Sequence, residues 1–174
     1  YYFESINGLD ANNCTDLLIE GNDATFVFSS TDYRFFIRNS DCVEIRNLNV
    51  DWNWKESPLA SVVTVQNSNP DNDTIDFVFK DAEYCDENCR MAAITQCDPE
   101  TFTFGAKYSS KEVYLYQDGT NIKSVQKISD NTLRVTHNGC MNGFEDGETY
   151  ILRHYVYNGT VFNLRDYSKN ITFD

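Results

Sequence analysis

Positive charge is scarce in this chain: 14 lysines and arginines stand against 27 aspartates and glutamates, a formal net charge of −13. That balance argues against nucleic acid or an anionic membrane as a partner, because their phosphates would be repelled. An acidic surface of this kind serves solubility first, and can also form a cation-binding or sugar-binding face. Long apolar runs are missing too. No stretch reaches the ~18 residues needed to cross a bilayer, so no membrane span is expected, and the sequence does not open on a charged-then-apolar stretch. There is no starting Met. Tyr1-Tyr2-Phe3 opens the chain abruptly, and Asp174 closes it in what reads as mid-strand, so an excerpt of a longer protein is expected. Helical patterns are equally sparse, with Asp86 to Thr95 the one candidate. Asp71-Asn72-Asp73 resembles part of a calcium loop but lacks the Gly at its sixth position and the closing Glu, which favours a hairpin tip.

Paired Cys-x2-Cys spacings are absent as well, which weakens any zinc reading of the six cysteines. Cys85, Cys89 and Cys97, with His137 or Cys140, could still form a metal site, could form disulfides, or could remain free thiols. Cys14 and Cys42 invite pairing, yet the repeat described next sets Cys14 beside Ser40. That leaves the two cysteines roughly 8 Å apart between Cα atoms, beyond disulfide reach. No cofactor is expected.

What the chain does have is a phrase said three times. Asn13-Cys14-Thr15-Asp16-Leu17-Leu18-Ile19 aligns with Asn39-Ser40-Asp41-Cys42-Val43-Glu44-Ile45 at an interval of 26 residues, and Tyr167-Ser168-Lys169-Asn170-Ile171-Thr172-Phe173 repeats it 128 residues later. A fixed period with short apolar-x-apolar runs marks a stacked architecture in which each unit buries its face only against its neighbours. The expected fold class is all-β: right-handed parallel β-helix coils of about 26 residues, each with three short strands and three polar corners. In that register, Glu20-Gly21-Asn22-Asp23 turns a corner. Phe26 and Phe28 are followed one coil later by Trp52 and Trp54.

The interval of 128 is 26 plus 102, so about a hundred residues are expected to be inserted into one coil. The boundaries predicted are 1–52 for the first coils, 53–152 for the insertion and 153–174 for the resumed coil. The insertion alternates apolar and polar residues at Ser61–Val65, Thr74–Phe79, Val113–Tyr116, Ile122–Ile128, Thr132–Thr136 and Glu148–Arg153, with turn residues between. This predicts an antiparallel β-barrel or sandwich.

The runs Leu17–Phe28, Val43–Trp52, Leu152–Tyr155 and Asp166–Phe173 together resemble the N-terminal part of bacterial β-helix glycosidases, specifically glycoside hydrolase family 110, the exo-acting α-1,3-galactosidases. The resemblance implies a β-helix carrying a barrel inserted in an early coil, a terminal galactoside or related glycan as partner, and a secreted, periplasmic or cell-surface location. It also implies catalytic aspartates beyond Asp174, leaving this chain without hydrolytic activity of its own. Asp51 and Asp166 are the best single carboxylates, but each reads more simply as a corner or turn residue, and inverting hydrolysis needs a pair. The candidate substrate-binding residues are Arg153, His154, Trp52 and Tyr155: a donor fork, an imidazole and aromatic faces for stacking on sugar. The plainer reading ties Arg153 to backbone carbonyls and makes His154 a satisfied interface residue. A non-catalytic β-helix carbohydrate-binding or adhesion module is the alternative to a glycosidase fragment.

Overall fold

The computed structural model describes residues 9–28, 35–56, 58–104, 111–115, 121–154 and 162–174. In chain order the strands among them are β1 (Leu9–Asn12), β2 (Thr15–Phe28), β3 (Phe35–Arg38), β4 (Asp41–Trp52), β5 (Ala60–Asn69), β6 (Thr74–Phe79), β7 (Met91–Gln96), β8 (Glu112–Tyr114), β9 (Ile122–Ser129), β10 (Thr132–His137), β11 (Thr149–His154), β12 (Phe162–Arg165) and β13 (Lys169–Phe173). The chain divides into two compact units, Tyr1–Ser57 with Asn158–Asp174, and Pro58–Tyr157.

The first unit holds two parallel sheets of three strands each, ordered β1-β3-β12 and β13-β4-β2. Their registers follow the sequence intervals. Leu17 and Ile171 both pair with Val43, Ile19 and Phe173 with Ile45, and Leu9 and Phe162 with Phe35. Side chains alternate across a strand, so Val43 and Ile45 point inward with Ile37 and Ala11 and form a small buried core.

Polar residues stitch the layers at the turn between the sheets. Ser40 Oγ accepts from the Cys14 amide (3.1 Å) and donates to the Arg38 carbonyl (2.8 Å). Ser168 Oγ sits one layer on, accepting from the Ser40 amide (3.4 Å) and donating to the Arg165 carbonyl (2.7 Å).

The expected β-helix class is overturned here. Among the described residues each parallel sheet is only three strands deep, and the repeat supplies two strands, not three. The cause lies at Glu20–Asp23. These residues do not turn a corner; they form an irregularity inside one fourteen-residue strand, with Asn22 and Asp23 left-handed at φ 48° and 58°. Gly21 is required there, since a Cβ would lie 2.4 Å from the Asn47 carbonyl oxygen. The irregularity takes up two residues, so Glu20 pairs with Arg46 but Ala24 pairs with Leu48. Trp52 consequently lies opposite Phe28 instead of Phe26.

The second unit is one seven-stranded antiparallel sheet, ordered β8-β7-β11-β5-β6-β10-β9. It is neither a closed barrel nor a two-sheet sandwich: β8 and β9 end the order, and no pairing joins them among the described residues. Alternation along β5, β6 and β10 puts Val63, Val65, Ile75, Phe77, Leu133 and Val135 in a dry core. Phe144 stacks on Tyr150 there, with centroids 4.3 Å apart. The one helix candidate, Asp86–Thr95, is not a helix. A short 3-10 turn (Ala82–Tyr84) precedes it, and Met91–Gln96 is strand β7, paired with β8 and β11. β11 continues to His154, and Arg153 pairs with Ala60 and Ala93, so Arg153 belongs to the antiparallel sheet; the parallel layers resume at Phe162.

Candidate functional site

In the β13-β4-β2 sheet two rows of residues alternate with the core-facing Leu17, Val43 and Ile171. One is Leu18, Glu44 and Thr172, which are paired; the other is Asp16, Cys42 and Asn170, the residues just before the core-facing ones. The second row is left-handed throughout, at φ 54°, 56° and 54°. Asp and Asn take that conformation readily because their short polar side chains bond locally. Cys42 has only a thiol for this, which donates weakly to Asp41 Oδ1 (3.5 Å).

A shallow groove of about 350 Å³ lies over these residues, with Leu17 and Val43 also in its lining. Its polar groups are held from the side. Asn170 Nδ2 donates to Asp41 Oδ1 (2.7 Å) and Lys169 Nζ lies 3.2 Å from Asp41 Oδ2. These bonds, the Asn170 amide foremost, hold the Asp41 carboxyl below the usual aspartate range. Arg46 reaches Glu44 Oε1 (3.2 Å) and, through Nε, Glu20 Oε2 (2.6 Å). The groove therefore presents carboxylates, an amide and a hydroxyl beside the apolar Leu18.

The residues singled out from sequence lie elsewhere. Arg153 on β11 donates from Nη2 to Glu112 Oε1 (2.7 Å), and its guanidinium carbon lies 5.8 Å from the Tyr114 ring centre. Its Nε is buried with no hydrogen-bond partner among the described residues. His154 is 3% exposed, its Nε2 3.0 Å from Ser61 Oγ, and the ring also bonds to the Pro58 backbone. Burial pushes its pKa below the ordinary histidine value, so the neutral ring is favoured. Arg153 and His154 find separate partners, Glu112 and Tyr114 for one and Ser61 and Pro58 for the other. Trp52 ends β4, its amide donating to Asp51 Oδ1 (2.7 Å), and Tyr155 lies outside the described residues. Asp51 is exposed on β4, and Asp166 is a left-handed, exposed turn residue.

No protein-family model and no curated protein matches this chain. Geometry therefore has to carry the chemistry.

Each described carboxylate whose pKa departs clearly from the ordinary range moves downward: Glu20, Asp41, Asp73, Asp76 and Glu148. For Asp76 and Glu148 burial works the other way. It is outweighed at Asp76 by Arg134 and Asn67, and at Glu148 by Lys111, the Glu145 amide and Tyr150. A glycosidic general acid needs its pKa raised, so none of these five suits that role. All six cysteines are free thiols, Cys85 and Cys97 deeply buried. Among the described residues no three His, Cys, Asp or Glu side chains gather to hold a metal ion.

The groove residues were absent from the sequence-derived site. Leu18, Glu44 and Thr172 become neighbours only through the 26- and 128-residue intervals. That signal was present in the repeat, in the residues between the inward-facing ones.

Proposed function

We propose that this chain supplies a glycan-binding surface to a carbohydrate-active protein, with the groove over Asp16, Glu44, Asn170 and Thr172 as the sugar-contacting face. The observation that carries the reading is the groove's mixture of side chains: acidic acceptors and an amide suited to sugar hydroxyls, set beside an exposed Leu18 suited to a pyranose face. The resemblance to exo-α-1,3-galactosidases supplies the sugar class, a terminal galactoside. None of the five carboxylates with a displaced pKa is raised as a general acid requires, which is in keeping with binding without hydrolysis by the chain itself. A secreted or cell-surface setting goes with access to glycans, and the buried Cys85 and Cys97 are shielded from oxidation there.

The test is an NMR titration of the chain with an α-1,3-linked galactosyl disaccharide. The expected result is saturable, weak binding that moves the Asn170 and Thr172 resonances and is reduced about tenfold by Asn170→Ala, the loss of about 1.4 kcal/mol. Absence of shifts at those positions would overturn the assignment of the groove. Release of galactose by the purified chain would overturn its non-hydrolytic character.

A further inference from the structure

The connection between β10 and β11 carries the dipeptides Asn138-Gly139, Asn142-Gly143 and Asp146-Gly147, each four residues after the last. In each, an amide or carboxyl carbon is followed by a peptide nitrogen whose own residue has no Cβ to restrict its swing. That is the arrangement in which a backbone nitrogen can close on the side chain before it, and asparagine is the more labile partner.

Two of the three are held apart by the fold. Gly139 donates its N–H to His137 Nδ1 (3.0 Å), and both ends of the Asn138 amide are taken: Oδ1 accepts from the Cys140 N–H (3.2 Å) and Nδ2 donates to Asn121 Oδ1 (3.0 Å). Gly147 donates to the Val65 carbonyl (2.9 Å), and Asp146 Oδ1 accepts from the Ser68 amide (2.9 Å). Asn142-Gly143 differs. The Gly143 N–H has no acceptor among the described residues, both residues are exposed in a turn, and a Cβ placed on Gly143 would meet nothing within 4 Å. The turn is pinned on either side, Asn142 donating to the Gly139 carbonyl (3.1 Å) and Phe144 to the Met141 carbonyl (3.0 Å), so the freedom is confined to the Gly143 peptide. The Asn142 side chain reaches Asp73, where the Lys123 ammonium foremost, and then the Asn142 amide, hold the carboxyl below the usual aspartate range.

We propose that Asn142 is a self-modification site, at which the Gly143 nitrogen closes on Asn142 Cγ and converts the residue to aspartate and isoaspartate, while the fold protects Asn138. Base removes the Gly143 amide proton, the nitrogen bonds to Cγ, the Cγ–Nδ2 bond breaks, and the side-chain nitrogen takes a proton from water and leaves as ammonia. Water then opens the cyclic imide at either of its carbonyls. The net change is amide and water to acid and ammonia, with no oxidant or reductant. Either product puts a carboxylate beside Asp73 where an amide donor stood. Asp73 ties its turn to β10 through the His137 amide (2.8 Å) and to β9 through Lys123 (3.2 Å), so the new like charge falls where three strands meet. This proposal does not depend on the glycan reading.

Incubation of the whole chain in mildly alkaline buffer, with fragment-ion sequencing of the peptide that carries both asparagines, tests it. Asn142 is expected to convert at least tenfold faster than Asn138, a difference near 1.4 kcal/mol in barrier. In denaturant, where the two are the same dipeptide in an open chain, their rates should converge. Gly143→Ala should slow conversion at Asn142 about tenfold, and the open space around that position leaves the fold undisturbed. The products should include isoaspartate, which direct hydrolysis of the amide does not give. Asn138 converting as fast as Asn142 in the folded chain overturns the proposal, as does an Asn142 that stays intact over the time in which the denatured chain converts. Aspartate unaccompanied by isoaspartate overturns the ring closure.

Discussion

The parallel and antiparallel units bury their apolar residues in different ways. In the antiparallel sheet, Val63, Val65, Ile75, Phe77, Leu133, Val135, Tyr150 and Leu152 are all 0% exposed and close on one another as a single core. In the parallel sheets burial depends on position in the stack: Val43 and Ile45 lie between two layers, while among the described residues Leu17 and Ile171 adjoin one. One unit is stabilised by a closed interior, the other layer by layer, so the same substitution should cost different amounts in the two.

The largest effect tests that difference directly. Phe77→Ala removes a fully enclosed ring and should cost about 4 kcal/mol, whereas Leu17→Ala in an outer layer should cost about 1–2 kcal/mol, because water already reaches that site. Native-state hydrogen exchange reads each unit separately, which a single melting curve of a two-unit chain would not. Equal losses would end the comparison.

The ion pairs sharpen it. Asp76 is 1% exposed and takes both arms of Arg134, at 2.7 and 2.8 Å, while the Arg46–Glu20 pair lies near the surface. Arg134→Ala should cost about 2–3 kcal/mol, reduced from the fully buried case because the Arg is itself half exposed. Arg46→Ala should cost far less, because its pair is exposed and screened by solvent. The pH dependence has a definite sign. The folded pKa of Asp76 is lowered, so its contribution is complete above the unfolded value of about 3.9 and is lost as pH falls through the folded value. The penalty of Arg134→Ala should therefore be largest near neutrality and shrink on acidification, as Asp76 becomes protonated. Denaturant midpoints followed by exchange between about pH 2 and 7 would show it.

The smallest effect runs the other way. Cys42 is the one member of its left-handed row without a carboxylate or amide to satisfy the backbone locally, so Cys42→Asn should stabilise the parallel unit by about 0.5–1 kcal/mol. A destabilising result would mean that the thiol's packing outweighs backbone strain.

Much of this was legible in the sequence, and the failures have physical causes. The 26- and 128-residue intervals correspond to paired strands because an inward-facing residue needs a partner at the same height in the next layer. Thr74–Phe79 was readable from its alternation. Met91–Gln96 was not, because Met and Ala favour helix in isolation; burial between β8 and β11 overrides that preference. Glu20–Asp23 looked like a corner because residues that tolerate positive φ serve a turn and a strand irregularity equally well. Arg153 and His154 drew attention by their chemistry, and His154 proved to be sealed against Ser61. The groove went unnoticed because its walls are assembled from three separate stretches.

The pairing of Ala60 with Arg153 has a consequence for how the protein is made. Once the antiparallel sheet has formed, nearly a hundred residues of chain begin and end on adjacent strands, and the parallel layers experience them as a short link. While that sheet is unfolded, closing the 128-residue step in place of a 26-residue one costs roughly 1.4 kcal/mol more by loop entropy alone. β12 and β13 are synthesised after the intervening segment, and they should join the stack only once that segment has folded. The third layer then acts as a late checkpoint on the chain's maturation.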